Sequence, residues 1–236
     1  MKKIQLLMMA MLMAVSAFSQ TIKPNKDCIE DYLPLLHASG YKAYSFDISE
    51  FLNDTYQITF KVNEYVDSVG IVNTTTTTFT NRTMLNLFSK EDQQRIMKEG
   101  RAVNPEKGIY DQSDKIIIGF TPTSADSLKT LYLTVEGQGA MWSGLNLKGL
   151  MDPYTKKLTY AYESRPFKID KFEEGKFIPL VLFGSFWIDK DYGFLRFCGA
   201  SEMDPDMSTE LLEDTPHYFV IGVEIRKIIT AIKNNV

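Results

Sequence analysis

The stretch that most constrains the fold lies between residues 176 and 225 and contains three apolar runs. The first covers residues 180–188, the second residues 194–198 and the third residues 217–225. Runs of this length, rich in aromatic and β-branched residues and bounded by Gly, Asp and Pro, predict strands. The first run is apolar on both phases of the two-residue period, which predicts a strand covered on both faces. This block therefore predicts the centre of a β-rich core.

Two helices and several more strands are predicted around this block. Strands are predicted at 56–66 and 70–80, around the turn residues 67–70, and at 115–120 and 128–135, which the Thr-Pro-Thr-Ser-Ala-Asp turn joins. Residues 27–39 and 89–99 carry helix-start residues and are each followed by glycine, which predicts an N-terminal helix and one further surface helix. The fold expected is mainly β: an antiparallel two-sheet sandwich, formed by residues 20–236 as a single β-rich globular domain.

The first 19 residues have the pattern of a signal peptide. Lys2 and Lys3 precede an apolar run over residues 4–18, and Ala17 and Ser19 place small residues where a signal peptidase reads them. The alternative, a transmembrane anchor, needs roughly 20 apolar residues, which is longer than this run. We therefore expect cleavage after Ser19, a mature chain without a membrane span, and a periplasmic or secreted location.

The charge of the mature chain argues against nucleic acid as a partner. The chain carries a formal net charge of −4, and its first 19 residues contain two lysines and no acid, so the remainder carries −6. Proteins that bind nucleic acid normally present a basic patch to the phosphates. No lysine or arginine cluster stands out here, so a nucleic-acid partner is not expected.

Two cysteines, Cys28 and Cys198, remain after the leader. In an oxidising compartment an even count is compatible with a disulfide, which would tie the N-terminal segment to the second apolar run. The alternative is a pair of buried thiols acting as small apolar residues, because a chain of this size does not need a covalent staple. The sequence leaves both readings open.

Histidine is scarce, and this limits the enzymes that the chain could be. His37 and His217 are the only two, and each stands at the end of a predicted element, where surface histidines are common. There is no Gly-x-Ser-x-Gly motif and no cluster with zinc-ligand spacing. Paired carboxylates, the machinery of glycosidases, cannot be singled out among 30 acidic residues. No catalytic residue is therefore assigned.

An acidic segment between the second and third apolar runs is a candidate calcium site. Acidic or hydroxyl side chains recur there at every second residue: Glu202, Asp204, Asp206, Ser208 and Glu210. Calcium takes six to eight oxygen ligands, and Asp204, Asp206, Ser208 and Glu210 could supply several. The glycine and closing glutamate of an EF-hand are absent, so a solvated acidic loop is the favoured interpretation. No other cofactor is expected.

Trp142 lies in the segment from Gly137 to Gly144, whose small residues interrupt the strand pattern and predict a loop. A tryptophan flanked by Gly, Ala and Ser can present its ring to a sugar or to a partner surface. The alternative is a ring that folds back and closes the end of the core. Trp187, inside the first apolar run, is assigned to the core. Trp142 is therefore the ligand-binding candidate.

The leader ending Ala-Phe-Ser-Gln, the length and the β-rich body together resemble secreted proteins of unknown function from gut Bacteroidetes. The resemblance implies periplasmic or extracellular residence and no particular activity. Asp67-Ser68-Val69 and Asp126-Ser127-Leu128 are similar to the sequons that such bacteria O-glycosylate, which makes Ser68 and Ser127 candidate modification sites.

The function expected is a binding or structural module without enzymatic activity, with a glycan or an envelope protein as partner. The alternative is a hydrolase that acts on polysaccharide through carboxylates not identified by the sequence. A flat or convex face around Trp142 favours the module, whereas a deep groove with two facing carboxylates favours the hydrolase.

Overall fold

The computed structural model describes residues 29–67, 69–123, 125–169, 171–197, 199, 201–207, 212 and 214–228. The chain divides into two compact units, residues 1–36 and 37–236. The described part of the first unit is residues 29–36, which are helical. The packing and the sites described below from contacts lie in the second unit.

Both predicted helices are present. Helix α1 spans Ile29–Ala38, and the chain leaves it through Gly40 at φ +84°. Helix α2 spans Lys90–Lys98; the Ser89 hydroxyl accepts a hydrogen bond from the Asp92 N–H at 3.1 Å, which satisfies one of the free donors of the first turn. Short 3-10 turns occupy Ser49–Phe51 and Leu85–Leu87. None of the helices in the described ranges is long and apolar enough to cross a membrane.

Strand accounts for 50% of the structure and helix for 13%, so the prediction of a mainly β fold is confirmed. The strands are β1 Lys42–Asp47, β2 Tyr56–Val66, β3 Gly70–Thr80, β4 Arg82–Met84, β5 Ile109–Gln112, β6 Lys115–Thr121, β7 Leu128–Val135, β8 Gly139–Asn146, β9 Leu150–Met151, β10 Leu158–Thr159, β11 Tyr162–Pro166, β12 Phe177–Ser185, β13 Trp187–Ile188, β14 Leu195–Arg196 and β15 His217–Lys227.

Two antiparallel sheets form the body of the protein. One has four strands in the order β1-β6-β7-β8, and the other has five in the order β11-β12-β15-β2-β3. The pairs β4–β5, β9–β10 and β13–β14 are separate two-stranded ribbons. The arrangement agrees with the predicted antiparallel sandwich.

The core lies between these sheets and is built from alternate residues of each strand. Ile116, Ile118 and Phe120 of β6 meet Ile58 and Phe60 of β2 in one buried cluster. All five side chains are at most 2% exposed. Burying side chains of this size stabilises the fold by about 1.5–3 kcal/mol each. The same period of two places the intervening residues on the outer faces of the two sheets.

A second, smaller core covers the outer face of the five-stranded sheet at β12 and β15. Leu182 and Val220 of these strands pack there with Trp187 and Met203 from the segment that joins them. Strand β12 is therefore buried on both faces, as its uninterrupted apolar sequence predicts. Trp187, 8% exposed, is part of this core.

The first apolar run is not a single strand. Strand β12 ends at Ser185, and β13 begins at Trp187 in a different sheet. Between them, the Phe186 N–H donates to the Ala161 carbonyl at 2.9 Å. The break lets Trp187 return to the outer face of the sheet that β12 has just left. An apolar run buried on both faces carries no alternation that could mark this change of direction.

Polar and charged side chains gather at one end of the sandwich, which we call the polar end. It is the end at which β1, β7, β11 and β15 begin and β6 and β12 finish. Lys42 of β1 and Glu163 of β11 join the two sheets there through an ion pair of 2.7 Å.

Candidate functional site

Trp142 lies within strand β8, not in a loop, so the prediction of a loop from Gly137 to Gly144 is wrong beyond Gly139. Met141 and Leu145 face the core while Trp142 faces outward, and the small residues Ala140 and Gly144 share the outward face with it. Because these outward residues are small and not polar, the segment lacks the alternation of apolar and polar residues that marks a strand. Its glycine and alanine residues are instead typical of a turn. Trp142 is 62% exposed, so it does not close the end of the core.

Trp142 belongs to a straight row of residues across the outer face of the four-stranded sheet. The register pairs Ala43 with Gly119, Gly119 with Tyr132, and Tyr132 with Trp142, one residue from each strand. We call these four residues the aromatic row. With strands about 4.8 Å apart, the row spans roughly 14 Å. The row has two small residues at one end and two aromatic residues at the other. Only the aromatic end therefore projects from the sheet, and it is apolar.

The aromatic half of the row is held in place by direct contacts. The rings of Tyr132 and Trp142 lie 4.5 Å apart, centroid to centroid, at an interplanar angle of 44°. A Cβ atom built on Gly119 would lie 3.5 Å from both Cβ and Cδ1 of Tyr132, so the tyrosine ring leans over the glycine. Cross-strand aromatic pairs of this kind stabilise a sheet and fix the positions of the rings.

Hydroxyl groups flank the aromatic row. Thr121 and Thr130 form a directly opposed pair on one side of the row, on β6 and β7. Ser45 of β1 lies on the other side and is exposed. An aromatic ring offers an apolar face to the C–H groups of a sugar, and nearby hydroxyls can hydrogen-bond its oxygens. This surface therefore suits a ligand with one apolar and one polar side.

The polar end holds a buried network that sequence reasoning missed. His217 is 1% exposed, so its interpretation as a surface histidine is wrong. The Tyr162 hydroxyl lies 2.5 Å from His217 Nδ1, and His217 Nε2 lies 3.0 Å from Glu64 Oε1. In the neutral ring, the tyrosine O–H donates to Nδ1 and the Nε2–H donates to the carboxylate. The Lys148 N–H also donates to the Tyr162 oxygen at 2.9 Å.

Both titratable rings of this network are held neutral. Burial lowers the pKa of His217, and the hydrogen bond to Glu64 opposes that effect without overcoming it. Burial also raises the pKa of Tyr162 to about 12. A tyrosine with so high a pKa is a poor nucleophile, and its oxygen is already bonded to His217 and Lys148. The network therefore holds three strands together at this end, because it joins Tyr162 of β11, His217 of β15 and Glu64 of β2.

Comparison with known proteins adds a family but no activity. A family model described as a domain of unknown function, DUF5041, matches residues 11–227. The chain belongs to the DUF5041 family. No curated protein matches it, and no solved structure matches it.

The calcium candidates of this DUF5041 chain lie only partly in the described ranges. Asp204 Oδ1 accepts a hydrogen bond from Lys168 Nζ at 2.9 Å. Ser208 and Glu210 lie outside the described residues, and within those residues no group of three His, Cys, Asp or Glu side chains could hold a metal ion. The calcium site stays a prediction that needs the two undescribed residues.

The other predicted sites also fall partly outside the described residues. Cys28, Cys198 and Ser68 are not described, so the disulfide and the first glycosylation site stay predictions. Ser127 is exposed in the turn between β6 and β7, where its carbonyl accepts a hydrogen bond from the Leu147 N–H at 2.8 Å. Its hydroxyl is therefore accessible to a modifying enzyme.

Among the described carboxyl groups of the DUF5041 chain, those with a clear pKa shift do not include a general acid. A glycosidase needs one carboxyl with a raised pKa. Every described carboxyl whose pKa departs clearly from its ordinary value is shifted downward: Asp47, Asp54, Asp152, Glu163 and Asp189. For Asp189 the main cause of the lowered pKa is the hydrogen bond from Arg196, at 2.5 Å. These groups stay ionised and are better suited to ion pairs than to proton donation.

Proposed function

We propose that this protein is a glycan-binding module without catalytic activity, and that the aromatic row is its binding face. The observation that carries the proposal is the exposed Trp142 ring fixed beside Tyr132 on an open sheet face. A sugar ring stacks on such a pair through its C–H face, while hydroxyls such as those of Thr121 and Thr130 reach its edges.

The shape of the face favours binding over hydrolysis. Ala43 is exposed and small, so the sheet surface is low beyond the tyrosine ring, which itself covers Gly119; a polysaccharide chain can therefore cross the strands without entering a cleft. Hydrolysis requires a carboxylate pair around the scissile bond, one of them protonated. The downward pKa shifts of Asp47, Glu163 and Asp189 supply no such acid. The hydrolase alternative is therefore the weaker interpretation.

The proposed location is the cell envelope or the extracellular space. The apolar run over residues 4–18 and the small residues at Ala17 and Ser19 support export through a cleaved signal peptide. The resemblance to secreted proteins of gut Bacteroidetes supports the same location. Export would bring the aromatic row into contact with envelope or dietary polysaccharides, the class of ligand that we propose for it.

A glycan array followed by affinity electrophoresis tests this function. The mature protein should bind at least one polysaccharide, and Trp142→Ala and Tyr132→Ala should each weaken binding about tenfold or more, which is about 1.4 kcal/mol. Tyr154→Ala is the matched control, because Tyr154 is also an exposed aromatic residue (72%) but belongs to the turn between β9 and β10 and not to the row. Equal retardation of all three variants by the polysaccharide would refute the proposal.

A further inference from the structure

A pocket of about 230 Å³ lies at the polar end, between β1 and β7 of one sheet and β11 and β12 of the other. Its apolar wall includes Phe120 and Phe183, whose rings stack at 4.8 Å and 27°, and the Tyr162 ring, 5.3 Å from that of Phe183. Its polar wall includes Lys42, Lys129 and Glu163. The pocket thus has an aromatic side and a charged side.

The charges in this pocket do not cancel. Lys42 Nζ donates to Glu163 Oε1 at 2.7 Å and to the Ser164 carbonyl at 3.1 Å, so this lysine and this glutamate neutralise each other. Lys129 Nζ donates to the Gly40 carbonyl at 2.9 Å and makes no ion pair with any described carboxylate. Among its lysine and glutamate side chains, Lys42, Lys129 and Glu163, the pocket therefore carries one excess positive charge, on Lys129.

The surroundings of Lys129 favour the arrival of an anion. Burial lowers the pKa of Lys129, and the more distant charge of Glu163 opposes this effect. Burial also pushes the pKa of Glu163 upward, but the hydrogen bonds from Lys42 and from the Ser164 N–H outweigh it, so that group stays ionised. A partly buried ammonium without a counter-ion pays a desolvation cost that an anionic ligand would offset.

Size and charge together define the ligand. A volume of about 230 Å³ equals roughly seven or eight water molecules at about 30 Å³ each, which is below the range of drug-sized ligands. A ligand with one negative charge would balance the single excess positive charge on Lys129. Phe120 and Phe183 are 2% and 4% exposed, so the half-buried Tyr162 ring is the aromatic surface that a ligand would meet.

We propose that this pocket binds a small monocarboxylate of monosaccharide size, such as a hexuronate, with its carboxylate on Lys129 and its ring against Tyr162. This site does not depend on the proposed function of the aromatic row. Lys42 and Ala43 are neighbours on β1, so their side chains lie on opposite faces of the sheet. The pocket can therefore be tested whether or not the outer face binds glycans.

Calorimetric titration of the unmodified protein tests the charge requirement without any mutation. D-Glucuronate should bind, and its neutral isostere D-glucuronamide should bind about tenfold more weakly or not at all. Lactate shows whether a simple monocarboxylate suffices, and its binding would support the charge requirement without the sugar ring. Equal affinity for glucuronate and glucuronamide, or no binding of either acid at millimolar concentration, would overturn the proposal.

A pair of lysine variants then tests the residue. Lys129→Met keeps the length of the side chain and removes its charge, so it should weaken glucuronate binding about tenfold or more, while Lys129→Arg should retain binding. Lys107→Met is the matched control, because Lys107 is an exposed lysine in the loop before β5. Melting temperatures establish that each variant is folded. Undiminished binding by a folded Lys129→Met protein would refute the assignment.

Discussion

At the scale of single residues, His217 makes stability depend on pH. Burial lowers its pKa in the folded state, whereas in the unfolded chain the ordinary value is about 6.5. As the pH falls, the unfolded chain is therefore protonated before the folded protein is. The free energy of unfolding decreases as a result. The contribution of His217 is fully present above about pH 6.5 and is lost as the pH falls through the folded-state value.

We expect His217→Gln to remove this acid-induced loss. The amide can bond to Tyr162 or Glu64 but cannot be protonated, so the variant should lose about 1–3 kcal/mol at pH 8 and show a flatter dependence on pH. The midpoints of urea unfolding between pH 5 and pH 8 measure how the stability of each protein depends on pH. His37→Gln, which changes the exposed histidine at the end of α1, should retain the dependence of the unmodified protein. The same slope in His217→Gln as in the unmodified protein would contradict the account.

At the scale of elements, the pairing of β12 with β15 depends on a glycine at an irregular point. The register shifts between Pro179 and Val181, opposite Gly222. A Cβ atom on Gly222 would lie 2.2 Å from the Ile178 carbonyl oxygen and 2.7 Å from the Phe177 ring. The backbone oxygen cannot move without displacing the strand, so no side chain can be accommodated there.

Gly222→Ala should therefore lower the free energy of unfolding by about 2 kcal/mol or more. Gly119→Ala is the matched control, since Gly119 is also a buried strand glycine but its Cβ would meet only ordinary contacts at 3.5 Å. We expect a change within about 0.5 kcal/mol for that variant. Chemical denaturation of both proteins measures the difference, and equal stabilities would show that the close approach at Gly222 is relieved at little cost.

The sandwich itself could be predicted at the scale of the whole molecule because its strands carry clear patterns. The predicted ranges 56–66, 70–80 and 128–135 coincide with β2, β3 and β7. In each of them, residues of high β propensity and flanking turn residues agree about where the strand begins and ends. The prediction failed at β8, where the small residues belong to a strand and not to a turn: Ala140 and Gly144 lie on its outer face, and Ser143 lies on its inner face.

The candidate sites were harder to predict because they are assembled across strands. Trp142 was identified from the small residues that flank it in the sequence, but its partner Tyr132 follows only from the register of β7 with β8. Lys129 has no local signal, since its pocket forms when β7 comes near β11. His217 did carry a signal: it shares the two-residue phase of Phe219 and the other core residues of β15. That phase predicts a buried histidine.

The central claim, that the aromatic row binds a glycan, is tested most directly by indole N–H signals in a ¹H–¹⁵N spectrum. The protein has two tryptophans, the exposed Trp142 and the buried Trp187, so two indole signals are expected, and Trp142→Phe assigns them. Titration with the polysaccharide found by the array should shift the Trp142 signal saturably and leave that of Trp187 unchanged. Binding of the polysaccharide with no change in the Trp142 signal would contradict the account.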